Sequence, residues 1–246
     1  MKMKKILFLA LGLSFLISCS KNGNSESFHQ DNAVVHYYSG YPEMTFLITP
    51  HGIFAAPELN KVGYNQNDCL FASFTIDYDN QPERAKYIAI SQVQCIKIEK
   101  TNIVMLNADS DSISYKIDDL SESVIETLAF AGSIPCMNNN LYIGFNQSDA
   151  KFQNYDYQLV YSDTFLDEIP ILYVCAKKST LSSATPHGDY KYQAFDITQF
   201  LNKFPEKEGK FSFYLKYKKG VSGIKNVYES LSQNAITLIN FKIIDD

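Results

Sequence analysis

The sequence predicts an all-β chain, and three observations predict it. Apolar and polar residues alternate with period two in run after run, most clearly where Phe211, Phe213, Leu215 and Tyr217 interleave with Ser212, Tyr214, Lys216 and Lys218. The chain holds 17 Tyr and 17 Phe, side chains that suit a pleated, half-buried surface. Turn residues punctuate the runs at Pro50-His51-Gly52, Asp79-Asn80-Gln81-Pro82, Pro186-His187-Gly188 and between Gly220 and Gly223.

Residues 1–18 stand apart from this pattern. Lys2, Lys4 and Lys5 precede an apolar run from Ile6 to Ile17 that only Gly12 and Ser14 interrupt, which reads as an export signal peptide. The run is shorter than the ~20 residues a membrane-spanning helix needs. Leu16, Ile17, Ser18 and Cys19 resemble the lipobox of bacterial lipoproteins, which implies that Cys19 becomes an acylated N-terminus. More than one acyl chain, palmitate among them, would give stable anchoring where a single chain binds only marginally. Residues 19–32 continue as SKNGNSESFHQDN after the cysteine, and that polar composition predicts a flexible tether. The first acid after Cys19 is Glu26, which leaves the periplasmic and surface faces of the outer membrane both open.

The body of the chain reads as strands. Period-two runs cover residues 34–38, 44–49, 70–78, 87–98, 140–146, 155–161, 169–176, 210–218 and 236–244. Residues 118–130 fit either class, because Leu120, Val124 and Leu128 recur at helical spacing while Val124, Ile125 and Thr127 suit a strand. The polar stretch NADSDSIS at 107–114 is the expected linker. It separates residues 33–107, the size of a small barrel, from residues 115–246, the size of a β-sandwich.

Charge narrows the function. The chain has 22 basic and 27 acidic residues, and removing the leader with its three lysines leaves 19 against 27, a net charge of −8. Nucleic acid, which demands clustered cations, is not an expected partner. Arg84 is the only arginine, so the bidentate forks that recognise phosphate are nearly lacking.

Candidate chemistry is sparse. Cys69, Cys95, Cys136 and Cys175 form no CxxC pair, and oxidising export compartments permit disulfides. In a regular strand Cys69 shares the less apolar face with Ser73 and Thr75, and Cys95 lies with Ser91 and Lys97, so a Cys69–Cys95 bridge and two free thiols are both open. Asp77, Asp79, Asn80 and Glu83 have the oxygen chemistry of a calcium site but not an EF-hand spacing, and Asn80-Gln81-Pro82 explains them as a hairpin turn. The acids Asp109, Asp111, Asp118 and Asp119 read as a solvated charge run. His29, His36, His51 and His187 show no HxH or HExxH spacing and read as loop residues rather than metal ligands. No GxSxG motif orients a nucleophile. A carboxylate pair for glycoside hydrolysis would be assembled in space, where spacing does not reveal it. Tyr37, Tyr38, Tyr41, Tyr155, Tyr157, Tyr161, Tyr190 and Tyr192 suit either a stacking face or a β core. Asp111-Ser112-Ile113 is similar to a short O-glycosylation sequon of exported Bacteroidetes proteins, which would modify Ser112. No cofactor or metal is expected.

The segments TFLITPHGIFAAPE, NDCLFASFTIDYDNQP, KYIAISQVQCIKIEK, NNNLYIGFN, PILYVCAKKS, QAFDITQF and FSFYLKYK, behind a lipobox, together resemble the NigD-like lipoproteins of the Bacteroidetes. That resemblance implies an OB-like barrel followed by a β-sandwich, and a role of the immunity kind suggested by a bacteriocin operon. It implies no catalytic residues. The expected function is a non-catalytic, lipid-anchored outer-membrane module that binds an envelope protein or an extracellular ligand such as a glycan. The rivals are an envelope hydrolase with spatially paired carboxylates and a structural periplasmic assembly factor.

Overall fold

A computed structural model describes residues 23–38, 44–83, 86–106, 125, 128–146, 155–178, 190–204, 210–222 and 225–239. Cys19, the linker at 107–114 with Ser112, and the residues Tyr41, Arg84 and His187 lie outside the described residues, as does most of 118–130.

Five strands come first: β1 (Ser25–Tyr38), β2 (Met44–Thr49), β3 (Gly52–Ala55), β4 (Cys69–Asp77) and β5 (Ile90–Asn102). A 3₁₀ turn at Pro57–Lys61 links β3 to β4. β1 lies antiparallel between β2 and β4, β2 pairs with β3, and β4 pairs with β5. The ring closes where Ala55 bridges in parallel to Ala89, with Ala55 N donating to Ile88 O at 2.9 Å. That order is the Greek-key ring of an OB-like barrel. Where the seam widens, the Glu58 carboxylate accepts Gln92 N and Val93 N at 3.1 and 3.0 Å, so a side chain stands in for the missing strand.

β1 differs from the sequence expectation at its start. It begins at Ser25, so the stretch expected to be tether up to Asn32 is strand from that residue onward. Ser25–Phe28 and Asp31–Val34 both pair with β4, and a bulge between them carries Gln30 at φ 49°. The bulge lets one strand serve two environments. Ala33 and Val35 fill the barrel with Leu47, Leu70, Ala72 and Phe74, while Val34 faces outward and is buried all the same.

The rest of the chain forms β6 (Val104–Met105), β7 (Leu128–Phe130), β8 (Cys136–Met137), β9 (Asn140–Asn146), β10 (Tyr155–Leu166), β11 (Ile169–Lys178), β12 (Tyr190–Asp196), a short helix α1 (Thr198–Lys203), β13 (Lys210–Ser222), β14 (Lys225–Ser230) and β15 (Ile236–Ile239). The ambiguous stretch at 118–130 thus ends as strand. β5 outgrows the barrel, and its residues 99–102 pair in parallel with β12, which continues through β9 to β7 and β8. One sheet therefore runs from the barrel into the sandwich, and it faces a second sheet in the order β14-β13-β11-β10-β6, with β15 also on β13.

Aromatic rings fill the space between those sheets. Phe145 of β9 stacks on Tyr157 of β10 at 3.8 Å and 5°. The helix α1 was not expected from the sequence. Asp196 starts it by accepting Thr198 N at 2.9 Å, and Phe200 plugs the sandwich end, edge-on to Phe204 and Phe211 at 5.2 Å each. β6 covers the edge of β10 only at Val160 and Tyr161, which leaves nearby carbonyls to be satisfied otherwise. Lys191 Nζ donates to Tyr155 O at 3.0 Å and Gln193 Nε2 to Tyr157 O at 3.0 Å, both from β12 in the opposite sheet.

Phe200 is fully buried among four rings, those of Tyr161, Phe204, Phe211 and Phe213. Phe200→Ala should cost roughly 3–5 kcal/mol, read from the midpoint shift in a urea titration with an unchanged slope.

Candidate functional site

The polar centre of the molecule lies where the barrel meets the sandwich. The barrel's outer face presents Val34, Ile48, Cys69, Phe71 and Ile98 to Met137, Tyr142 and Ala194 of the sheet beyond β5, with Ile53 and Ile134 at the margin. Into this apolar joint β1 carries two consecutive polar residues, Asp31 and Asn32, both buried. Such groups are tolerated only with partners.

Those partners come from three segments. His51, in the turn between β2 and β3, places Nε2 at 2.6 Å from Asp31 Oδ2. Ser133, in the loop between β7 and β8, donates its hydroxyl to Asp31 Oδ1. The Asn32 backbone N–H donates to the same oxygen at 2.9 Å. Asn32 then reaches the other half of the chain, its Nδ2 donating to Ala131 O at 3.0 Å and to Ile134 O at 3.3 Å. Tyr142 of β9 adds a buried bond from its hydroxyl to Ala33 O at 3.2 Å, and burial holds that phenol well above its ordinary pKa. The Phe28 ring packs on the His51 ring at 4.3 Å.

Gly132 makes the close approach feasible. Its φ of +80° suits glycine, and a Cβ there would lie 1.3 Å from Asn32 Oδ1. The same Oδ1 is buried without a hydrogen-bond partner, so the amide fits against the loop by shape on that side.

The cluster contains a serine, a histidine and an aspartate in an order that does not make a nucleophile. Activation requires the base next to the hydroxyl. Here Asp31 stands in the middle, with Ser133 and His51 each bonded to it rather than to one another. Asp31 is the one buried carboxylate among the described residues, and its partners are a hydroxyl, an imidazole and an amide rather than a second carboxylate. The arrangement is a latch.

The other predicted residues go elsewhere. Cys69 pairs across from Ile98 and Cys95 from Ala72, on opposite faces of the sheet, and this structure holds no bridge between them. Burial pushes the Cys95 thiol up to about 12. Asp77 accepts Asn80 Nδ2 at 2.7 Å and Asp79 N at 3.1 Å, bonds within the turn that hold its carboxyl below the usual range. His36 Nδ1 meets Gln66 Nε2 at 3.0 Å, and His29 is exposed on the β1 bulge. Tyr157 and Tyr161 are core residues, Tyr192 packs edge-on to Phe71 at 4.9 Å, and the Tyr37 hydroxyl donates to Tyr64 O. Tyr38 is exposed.

No family model and no curated protein matches the sequence. Among solved structures, the chain is similar in fold to a protein of unknown function, DUF1344, from Bacteroides vulgatus, with a TM-score of 0.51 and 11% identity over 85% of this chain and 92% of that one. It is also similar to a NigD-like immunity protein from Bacteroides caccae, with a TM-score of 0.40 and 12% identity over 85% of this chain and 93% of that one.

Two measurements test the joint and the thiols. Gly132→Ala should lower stability by more than ~1 kcal/mol, since it adds both a disfavoured φ and a clash, and Asp31→Ala should cost on the order of 1–3 kcal/mol; His51→Ala, at a side chain 40% exposed, should cost less than either in the same urea titration. In a Cys19→Ala background, iodoacetamide at pH 8 should leave the folded protein unmodified and label Cys69, Cys95, Cys136 and Cys175 once it is denatured without reductant.

Proposed function

We propose that the chain is a non-catalytic, lipid-anchored module of the outer membrane that binds an envelope protein or an extracellular ligand, with glycans in the second class. The observation that carries the non-catalytic part is the Asp31 latch, where the buried carboxylate is committed to Ser133, Asn32 and His51 across the joint. The basic-then-apolar leader ending at Cys19 supports export and anchoring. Protection of the producing cell, in the manner the family resemblance implies, is one form of this role.

The joint also bears on what the barrel can bind. OB folds grip oligonucleotides and oligosaccharides on the face of strands 2 and 3. In this chain Ile48 and Ile53 on that face share an apolar cluster with Ala131 and Ile134, which supports a reading in which loops of the sandwich do the binding instead.

Protease shaving of intact cells tests the anchored module and finds its face. The wild-type chain should fractionate with membranes and Cys19→Ala should not; Cys19→Ala in the membrane fraction at wild-type levels would overturn anchoring. Digestion of the wild type on intact cells would favour capture of an external ligand, and digestion only after lysis would favour a periplasmic partner.

A further inference from the structure

The chain enters the barrel at one end, and that end is fixed by hydrogen bonds. Tyr78 N donates to Asn24 O at 2.9 Å, and Asn24 N donates to Asp79 Oδ2 at 2.9 Å. The loop between β4 and β5 therefore sits beside the first described residues. Gln81 closes the neck of this loop, its Nε2 donating to Asp77 O at 2.6 Å and its Oε1 accepting Ala89 N at 2.7 Å. Tyr78 and Ile88 adjoin the two clamped backbones, and each is 38% exposed. Two partly exposed large side chains thus flank the clamped neck of the loop near the point of chain entry.

Tether length decides what they face. Residues 20–24 alone separate Cys19 from the start of β1 at Ser25. At ~3.3–3.6 Å per residue the path from Cys19 to Asn24 spans at most ~18 Å. A domain of roughly 75 residues has a radius of gyration of about 11 Å and a diameter near ~30 Å. A lipid on Cys19 cannot swing the far end of the barrel to the bilayer, so it holds the end that carries Tyr78 and Ile88.

We propose that Tyr78 and Ile88 rest on the lipid interface and set the orientation of the barrel on the membrane, an inference that depends on the proposed lipidation of Cys19. Tyrosine suits that position because its ring is apolar and its hydroxyl polar; here the hydroxyl donates to Glu26 at 3.1 Å. The contact is apolar rather than polybasic. Asp77 and Asp79 accept backbone amides, and no run of lysines accompanies them in the loop.

The chain contains no Trp, so a single introduced indole reports on one position. The lipid-modified protein would be reconstituted into phosphatidylcholine vesicles as Tyr78→Trp, Ile88→Trp or Leu166→Trp, the last at an exposed β10–β11 tip of the sandwich. Brominated phosphatidylcholine should quench the indoles at 78 and 88 at least about twofold more than the one at 166. Each variant is admitted only if it keeps the wild-type thermal transition, and two independent positions guard against one that does not fold. Flotation with vesicles reads anchoring separately. Protein that floats with equal quenching at all three positions would overturn the docking while leaving the anchor intact. Protein that carries Cys19 and does not float would overturn both.

Discussion

Placing Asp31 and Asn32 of β1 inside an apolar joint is the constraint around which the two halves of this chain are arranged. A buried carboxylate left unpaired is worth several kcal/mol of destabilisation, and a buried amide somewhat less. β1 has no local means of satisfying them beyond the Asn32 N–H. The remaining donors and acceptors come from the β2–β3 turn, 20 positions on, and from the β7–β8 loop about 100 positions on. That loop must therefore cross the barrel. Once it does, Ala131 and Ile134 cover Ile48 and Ile53, and apolar burial at the joint adds to the polar pairing that brought them together.

β5 makes the second connection. Thirteen residues long, it forms one wall of the barrel and then supplies the strand on which β12 builds. Because the pairing with β12 is parallel, it is formed between distant parts of the chain rather than through a hairpin. Lys191 and Gln193 then show how tightly the outcome is specified. Both extend from β12 across the sandwich to carbonyls of β10, so a one-residue slip of β12 against β5 would turn these polar groups to the wrong face and leave the carbonyls unpaired.

Most strands were legible in the sequence because period-two burial is a local property. Residues 211–217 alternate inward and outward as written. What failed was whatever depended on a bulge or on a distant partner. The first residues of β1, Ser25 to Gln30, carry almost no apolar signal, and they are strand because β4 offers them backbone partners. The sequence puts Cys95 on one face with Ser91 and Lys97, but the register shift between Ser73 and Thr75, beside Gln92 at φ 54°, breaks the phase with Ser91, and Cys95, still in phase with Lys97, turns into the barrel. Cys69 keeps the expected outward face and is buried because the sandwich covers it. The latch had one sequence trace, the polar pair Asp31-Asn32 placed directly before Ala33-Val34-Val35. Nothing local connected that pair to His51 or Ser133.

The barrel has few surfaces left for a partner. Its outer face belongs to the joint, and its seam is closed by the Ala55–Ala89 bridge and by Glu58 acting on two amides of β5. A partner strand would need an open edge, and the seam does not provide one. On the proposed anchoring, the end at Tyr78 and Ile88 is committed to lipid as well. The second sheet of the sandwich is different, since among the described residues β14 and β6 stand at the two ends of its strand order. On the same proposal the barrel holds the sandwich at a set attitude to the membrane, with the bonds of Asp31 to His51, Asn32 and Ser133 as the link between the two halves.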